Sequence, residues 1–234
     1  MWNMKKKIKS NHIDLSSKLI VKEKPKSPVS EQYRTIRTNI EFSMVDKDLK
    51  TIICTSANPS EGKSTTITNL ATTFAQQNKK VLFVDADLRK PTAHRRFQLG
   101  NQVGLTSVLT KRLNLEEAIS LTNVENLWLL PSGPIPPNPA ELLGSKSMRE
   151  LIEEAAEAFD LIVFDAPPVL AVTDAQILGN ICDGALLVVK SNSTEKEELQ
   201  KAKDLLDKAN VNIIGAILNG IEQEETNYYY YYGK

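Results

Sequence analysis

The chain has 234 residues, in which 29 lysines and arginines balance 29 aspartates and glutamates. That is enough for one α/β domain with a substantial core, and too even a charge to draw in nucleic acid through the molecule's field. Two cysteines, Cys54 and Cys182, each beside apolar residues, argue against a disulfide framework or a metal cluster and suit a reducing cytoplasm.

From the N-terminus, residues 1–26 carry eight lysines against Asp14 and Glu23. They read as a basic, flexible arm that could rest on an anionic membrane face or simply stand in solvent. No continuous apolar stretch follows, and no segment approaches the ~20 apolar residues that span a bilayer, so membrane contact is expected through a partner or the surface. Ser30–Met44 has helical period, with Tyr33, Ile36 and Ile40 facing inward and Glu31, Arg34 and Arg37 on a neighbouring stripe.

Six short runs rich in Val, Ile and Leu then read as strands: Thr51–Ser56, Lys80–Asp85, Asn126–Leu130, Asp160–Asp165, Gly184–Lys190 and Asn212–Leu218. Their near-continuous hydrophobicity predicts a parallel sheet covered on both faces. Between the first two, Ile67, Leu70, Ala71, Phe74 and Ala75 form one apolar helix stripe and complete a βαβ unit. Further along, Asn138, Pro139 and Glu141 mark one helix start, and Thr173 with Gln176 has the spacing of a capping box. The expected fold is α/β, a doubly wound and mostly parallel sheet in a three-layer, P-loop NTPase-like arrangement.

After the first strand comes Ala57-Asn-Pro-Ser-Glu-Gly-Lys-Ser64, which meets the pattern GxxxxGK[ST] except that Ala57 replaces the first glycine. In such a loop Ser60, Glu61, Gly62, Lys63, Ser64 and Thr65 would bind the nucleotide. Backbone N–H groups surround the phosphates, Lys63 supplies a point charge, Ser64 places its hydroxyl on Mg²⁺ and Thr65 lies near the α-phosphate. Two strands end in carboxylates, Asp85 with Asp87 and then Asp165, where open α/β sheets bind their ligands. A lone aspartate there is often only a helix cap. Beside a P-loop, these are expected to handle Mg²⁺ and the incoming nucleophile. Five consecutive tyrosines, Tyr228–Tyr232, follow Glu222, Glu224 and Glu225. Neighbouring residues cannot all face a core, so the run reads as an exposed tail of acceptors.

With Gly62-Lys63-Ser64, Asp85-x-Asp87-x-Arg89, Asp165-x-Pro167 and the terminal tyrosines in view, the sequence resembles the bacterial tyrosine kinases of capsule and exopolysaccharide operons. Glu31-Gln-Tyr-Arg34-Thr-Ile-Arg37 and the stretch from Ser132 to Leu143 are similar to the Gram-positive branch. The resemblance implies a protein-tyrosine kinase using ATP and Mg²⁺, with Lys63, Asp85 and Asp87 as catalytic residues and Ser64, Asp85 and Asp165 around the metal. Asp87 is the slightly preferred base. It implies Tyr228, Tyr229, Tyr230, Tyr231 and Tyr232 as acceptors entering a neighbour's site within a ring-like homo-oligomer, an octamer being one size. Glu31, Arg34 and Arg37 would join the neighbours.

The implied partners are a transmembrane activator of the polysaccharide co-polymerase type, other tyrosine substrates and a phosphotyrosine phosphatase. The activator would recruit a cytoplasmic kinase to the inner face of the membrane. The corresponding division is an arm at 1–29, a kinase domain at 30–221 opening with an interface helix at 30–44, and a flexible tail at 222–234. Many members of this family have glycine where this chain has Ser60, so a positive φ there would strain the loop. Two other readings stand beside it. One is a division or partition ATPase switch, against which Asn58 occupies the place of that class's extra lysine. The other is a nucleotide-sensing scaffold without catalysis.

Overall fold

The computed structural model describes residues 19–43 and 49–221. In chain order it runs through α1 (Ile20–Glu23), α2 (Pro28–Ser43), β1 (Thr51–Ser56), α3 (Lys63–Ala75), β2 (Val81–Asp85), α4 (Ala93–Arg96), α5 (Leu105–Leu109), α6 (Leu115–Ala118), β3 (Ser120–Leu121) and β4 (Leu127–Leu130). It continues with α7 (Pro139–Leu143), α8 (Lys146–Ala158), β5 (Leu161–Asp165), α9 (Asp174–Gly179), β6 (Gly184–Lys190), α10 (Lys196–Lys208) and β7 (Ile213–Asn219). The strands form one sheet in the order β3-β4-β2-β5-β1-β6-β7, parallel except where β3 meets β4.

Alternate side chains of each central strand enter different cores, which is why these strands are apolar at nearly every position. Ile52 and Cys54 of β1 and Val81 and Phe83 of β2 meet Ile40 of α2 and Ile67, Leu70 and Phe74 of α3 on one face. Ile53 of β1 and Leu82 and Val84 of β2 meet Leu105, Leu143, Met148, Leu151, Leu178 and Leu206 on the other. Each large side chain so buried contributes roughly 1.5–3 kcal/mol, and the two cores seat the sheet between two helix layers.

Several local expectations differ from what the chain does. The first long helix begins at Pro28, because Ser27 Oγ accepts the N–H of Ser30 at 3.2 Å and proline fits a first turn. Its Met44 end, like residues 1–18 and 222–234, lies outside the described residues. Residues 19–29, expected as part of a flexible arm, begin the folded body instead. Leu19 and Val21 are buried, and Val21 N–H is taken by Asn69 Oδ1 at 3.1 Å.

Strand β3 was not foreseen: two residues carry no periodicity, and only pairing with Trp128 and Leu129 makes them a strand. Thr173 forms no capping box, since its own backbone is helical and its side chain makes no cap bond. Asn138 precedes Pro139 as expected, but its amide bonds Glu141 at 2.6 Å and does not cap the helix.

Candidate nucleotide and phosphoryl-transfer site

The sheet order places β5 between β1 and β2, so the segments leaving these three strands meet at one carboxyl edge. Hydrogen bonds fasten them together. Ala166 N–H donates to Cys54 O at 3.0 Å, Val169 N–H to Ser56 O at 2.8 Å and Thr55 Oγ1 to Pro167 O at 2.7 Å. Ala86 N–H donates to Asp165 O at 3.0 Å. The crevice between them is where a doubly wound sheet binds ligands.

The loop after β1 enters α3 through Gly62, whose φ of 92° only glycine holds without strain. A Cβ at Gly62 would also lie 2.1 Å from Asn219 Nδ2. Ser60 does take a positive φ, 65°, so the strain anticipated there is present. Ala57 does not, and its methyl is simply buried. Departure from the glycine pattern is therefore harmless at Ala57 and costly at Ser60.

Residues that the motif does not name hold the loop. Asn219, at the end of β7, donates to Glu61 O at 2.9 Å, and Thr194 Oγ1 donates to Glu61 Oε1 at 2.6 Å. Asn58 Nδ2 donates to Glu198 Oε2 on α10 at 2.6 Å. These partners lie more than a hundred residues away, and no local spacing could reveal them. A strand-end asparagine such as Asn219 is the one that invited notice, by analogy with the strand-end aspartates.

Lys63 sits at the centre. Its Nζ is 3.3 Å from Asp87 Oδ2, 3.3 Å from Asp165 Oδ1 and 3.3 Å from Ser64 Oγ. Burial works against its charge, but the Asp165 and Asp87 carboxylates outweigh it and hold the ammonium above the usual lysine range. Asp87 also accepts Lys90 N–H at 3.0 Å through its other oxygen.

Asp85, fully buried, accepts Thr92 N–H at 3.0 Å and Ala93 N–H at 2.9 Å through Oδ2 alone. It is the cross-strand partner of Asp165. Burial first, and the Asp165 charge second, push its carboxyl up to about 7. Asp85 Oδ1 and Asp165 Oδ2 are buried acceptors with no hydrogen-bond partner.

The structure thus brings Lys63, Ser64, Asp85, Asp87 and Asp165 together, with Ser60, Glu61, Gly62 and Thr65 in the loop and helix that carry them. Two orphaned carboxylate oxygens beside a serine hydroxyl make an oxygen-only donor set suited to Mg²⁺, which takes one or two carboxylates and completes its shell with water and phosphate. In keeping with so sparse a shell, no group of three or more His, Cys, Asp or Glu among the described residues could hold a metal unaided.

Arg89 pairs with Asp174 through Nε at 2.9 Å and Nη2 at 3.0 Å, a fork on a fully buried carboxylate that ties the segment after β2 to α9. The two residues are 85 apart in the chain, so no local spacing marks this contact. Cys54 lies behind the loop and is inert, burial and then Asp165 pushing its thiol pKa far up.

Of the three α2 residues expected to face a neighbour, Glu31 is exposed and pairs with Arg34. Arg34 also donates to Pro25 O at 2.7 Å, while Arg37 is largely buried and donates to Thr73 O at 3.0 Å within its own subunit. The five terminal tyrosines lie outside the described residues. Tyr33 is turned inward against the α3-side core, and burial raises its phenol pKa.

Fold and site together define a P-loop NTPase-like α/β protein, and residues 49–213 match the family model described as an AAA domain. The chain is 57% identical over 215 residues to the tyrosine-protein kinase YwqD of Bacillus subtilis, covering 92% of this chain and 91% of that protein. It superimposes on the kinase domain of the Escherichia coli tyrosine kinase ETK with a TM-score of 0.85 and 35% identity, over 92% of this chain and 85% of that one. A more distant likeness, TM-score 0.62 and 26% identity over 73% and 70% of the two chains, is to the septum site-determining protein MinD of Pyrococcus horikoshii in complex with Mg-ADP. The chain belongs to the family of bacterial tyrosine-protein kinases. No helix among its described residues is long and apolar enough to cross a membrane.

Proposed function

We propose that the chain is an ATP-dependent protein-tyrosine kinase that phosphorylates Tyr228–Tyr232 of a neighbouring copy and thereby regulates capsule or exopolysaccharide synthesis and export. The observation that carries this reading is the meeting of one P-loop ammonium with Asp87 and Asp165, with Asp85 paired across the sheet to Asp165, in a largely buried site.

Ser64, Asp85 and Asp165 would hold Mg²⁺, whose charge neutralises the phosphates and the developing negative charge when it is bound. A phenol oxygen bonds the γ-phosphorus while the bond from that phosphorus to the β,γ-bridging oxygen breaks, ADP leaving and the phenol proton passing to Asp87. Asp87 is the better base of the pair because it keeps slight solvent exposure, while Asp85 is sealed off. Lys63 occupies an oxygen of Asp87 in this structure, and an ammonium drawn to phosphate would release it. The chain's work is otherwise positional: the loop amides and Gly62 hold the phosphates in line, and Asn219, Thr194 and Glu198 keep the loop in shape.

Neighbouring copies would join as a ring through the outward part of the α2 stripe, Glu31 and Arg34, with Arg37 bracing the helix from inside through the Thr73 carbonyl. A transmembrane activator would bring the ring to the inner face of the membrane, and a phosphotyrosine phosphatase would reverse the modification. The fold likeness to MinD keeps an ATPase switch in view, but Asn58 is engaged by Glu198 of its own subunit and carries no charge to reach across a dimer.

The test is to incubate the wild type, Lys63→Met and a chain ending at Thr226 with MgATP and the activator's cytoplasmic tail, then probe for phosphotyrosine and free phosphate. Signal in the wild type alone is expected. Phosphate release with no phosphotyrosine would overturn the kinase reading in favour of the switch.

A further inference from the structure

Beside the catalytic carboxylates lies a second cavity of about 550 Å³, between the 89–95 segment and the turn at Gly133–Ile135. Arg89, Lys90, Arg95 and His94 line it, with no aspartate or glutamate among the lining residues, although the chain as a whole is neutral. Such a one-signed concavity favours an anion. Burial and then Arg95 lower the His94 pKa, so the charge belongs to the other three. Arg89 spends Nε and Nη2 on Asp174, leaving Nη1, and among the described residues Lys90 and Arg95 form no ion pair.

The opposite wall is built and apolar. Asn101 Oδ1 accepts Gly133 N–H at 2.9 Å and its amide donates to Gly133 O at 3.1 Å, fixing a turn that presents Pro134 and the 65%-exposed Ile135 to the cavity. Cations on one side and an exposed apolar edge on the other suit an aromatic ring ending in a multiply charged anion better than a bare phosphate or a carboxylate.

The pocket is joined to the chemistry by its own backbone. Lys90 N–H donates to Asp87, and Thr92 and Ala93 N–H donate to Asp85. Lys90 both lines the cavity and bonds Asp87, so an acceptor segment whose reacting phenol meets Asp87 would pass over the cavity with a nearby residue of the same extended face. The tail offers five tyrosines in succession.

We propose that this cavity is a phosphotyrosine subsite: it binds a tyrosine of the cluster that already carries phosphate and thereby presents the next one to Asp87. The proposal deepens the kinase reading and rests on it for the source of the ligand, while the binding itself does not require turnover.

The test uses the full chain without nucleotide and three fluorescent peptides of the sequence 222–234, read by anisotropy. One carries phosphate on Tyr230, one carries none, and one carries the phosphate with its three glutamates replaced by glutamine. The phosphate is expected to tighten binding about tenfold or more, the glutamine peptide to keep most of that gain, and K90A/R95A to lose it while K90R/R95K retains it. Equal binding of the first two peptides, or full gain in K90A/R95A, overturns the proposal. So does loss of the gain in the glutamine peptide, which would assign the pocket to the acidic run.

Both residues are exposed, and an unchanged melting curve for K90A/R95A certifies its fold. In turnover, intact-mass spectra of K90A/R95A should show singly phosphorylated chains accumulating where the wild type proceeds to several. Peptide discrimination in a chain that makes no phosphotyrosine would refute the kinase reading and leave the subsite standing.

Discussion

Replacing Asp85 by asparagine should make the nucleotide-free protein more stable while removing its function. The carboxyl is sealed between β2, β5 and the 92–93 backbone, and its pKa stands at about 7 against an ordinary 3.8. A carboxyl raised in this way holds its proton more tightly folded than unfolded. It therefore costs nothing below pH ~4, costs progressively more between pH ~4 and ~7, and reaches its full penalty above that. At about 1.4 kcal/mol per unit, the full penalty is on the order of 4 kcal/mol, and the part that appears between about pH 5 and about pH 8 is roughly 2–3 kcal/mol.

Asparagine keeps a carbonyl oxygen for Thr92 and Ala93 N–H and adds an amide that can serve Asp165, whose Oδ2 lacks a partner. For a domain of this size each kcal/mol moves Tm by roughly 2–4 °C, so the advantage of Asp85→Asn over wild type should grow by about 5–10 °C from the acidic to the alkaline condition. Thermal unfolding in chelator at the two pH values measures this. An advantage that is independent of pH, or that shrinks as pH rises, would refute the account. Magnesium with nucleotide should reverse the order by stabilising only the wild type.

Lys63→Met leaves Asp87 and Asp165 without their shared cation, so the nucleotide-free protein should lose about 3 kcal/mol at neutral pH in urea unfolding, and an unchanged midpoint would refute the pairing. Ser60→Gly relieves a positive φ of 65° and should raise stability by about 0.5–1 kcal/mol in the same assay; no gain would mean that the serine is unstrained there. Arg89→Ala strands the buried Asp174 carboxylate and should cost about 2 kcal/mol, a figure lowered for the arginine's partial exposure, with Arg89→Ala/Asp174→Asn recovering most of it.

The sheet was legible because each central strand is apolar on both faces, and the P-loop because its residues are contiguous and sit between a strand and a helix. Asp85, Asp87 and Asp165 were legible from one rule, that ligands gather at the carboxyl ends of parallel strands. What escaped depends on contacts that no local pattern encodes. Thr173 and Gln176 have the spacing of a capping box, yet the neighbouring Asp174 is the residue with a function there, and its partner Arg89 lies on another element. Ser120–Leu121 became a strand only through Trp128 and Leu129. Arg37 shared a stripe with Glu31 on a helical wheel, but the closeness of α3 turned it inward to the Thr73 carbonyl. Periodicity reports a direction and says nothing of what stands in it.

The placement of Lys63 links these observations to how a transfer site could be kept quiet. One ammonium shares itself between Asp87 and Asp165, while Asp85 beside them is left with an unpaired oxygen and a carboxyl that burial, and then Asp165, push up to about 7. A buried group in that state is a poor contributor to folding and a ready ligand for a divalent cation, whose charge would depress its pKa and supply the missing partner. The same cation would take over the neutralisation of Asp165, and the ammonium could then follow the phosphates and uncover Asp87. On the kinase reading, assembly of the loaded site and activation of Asp87 would be one electrostatic exchange, in which the Asp85 oxygen that stands unpaired here would gain its partner.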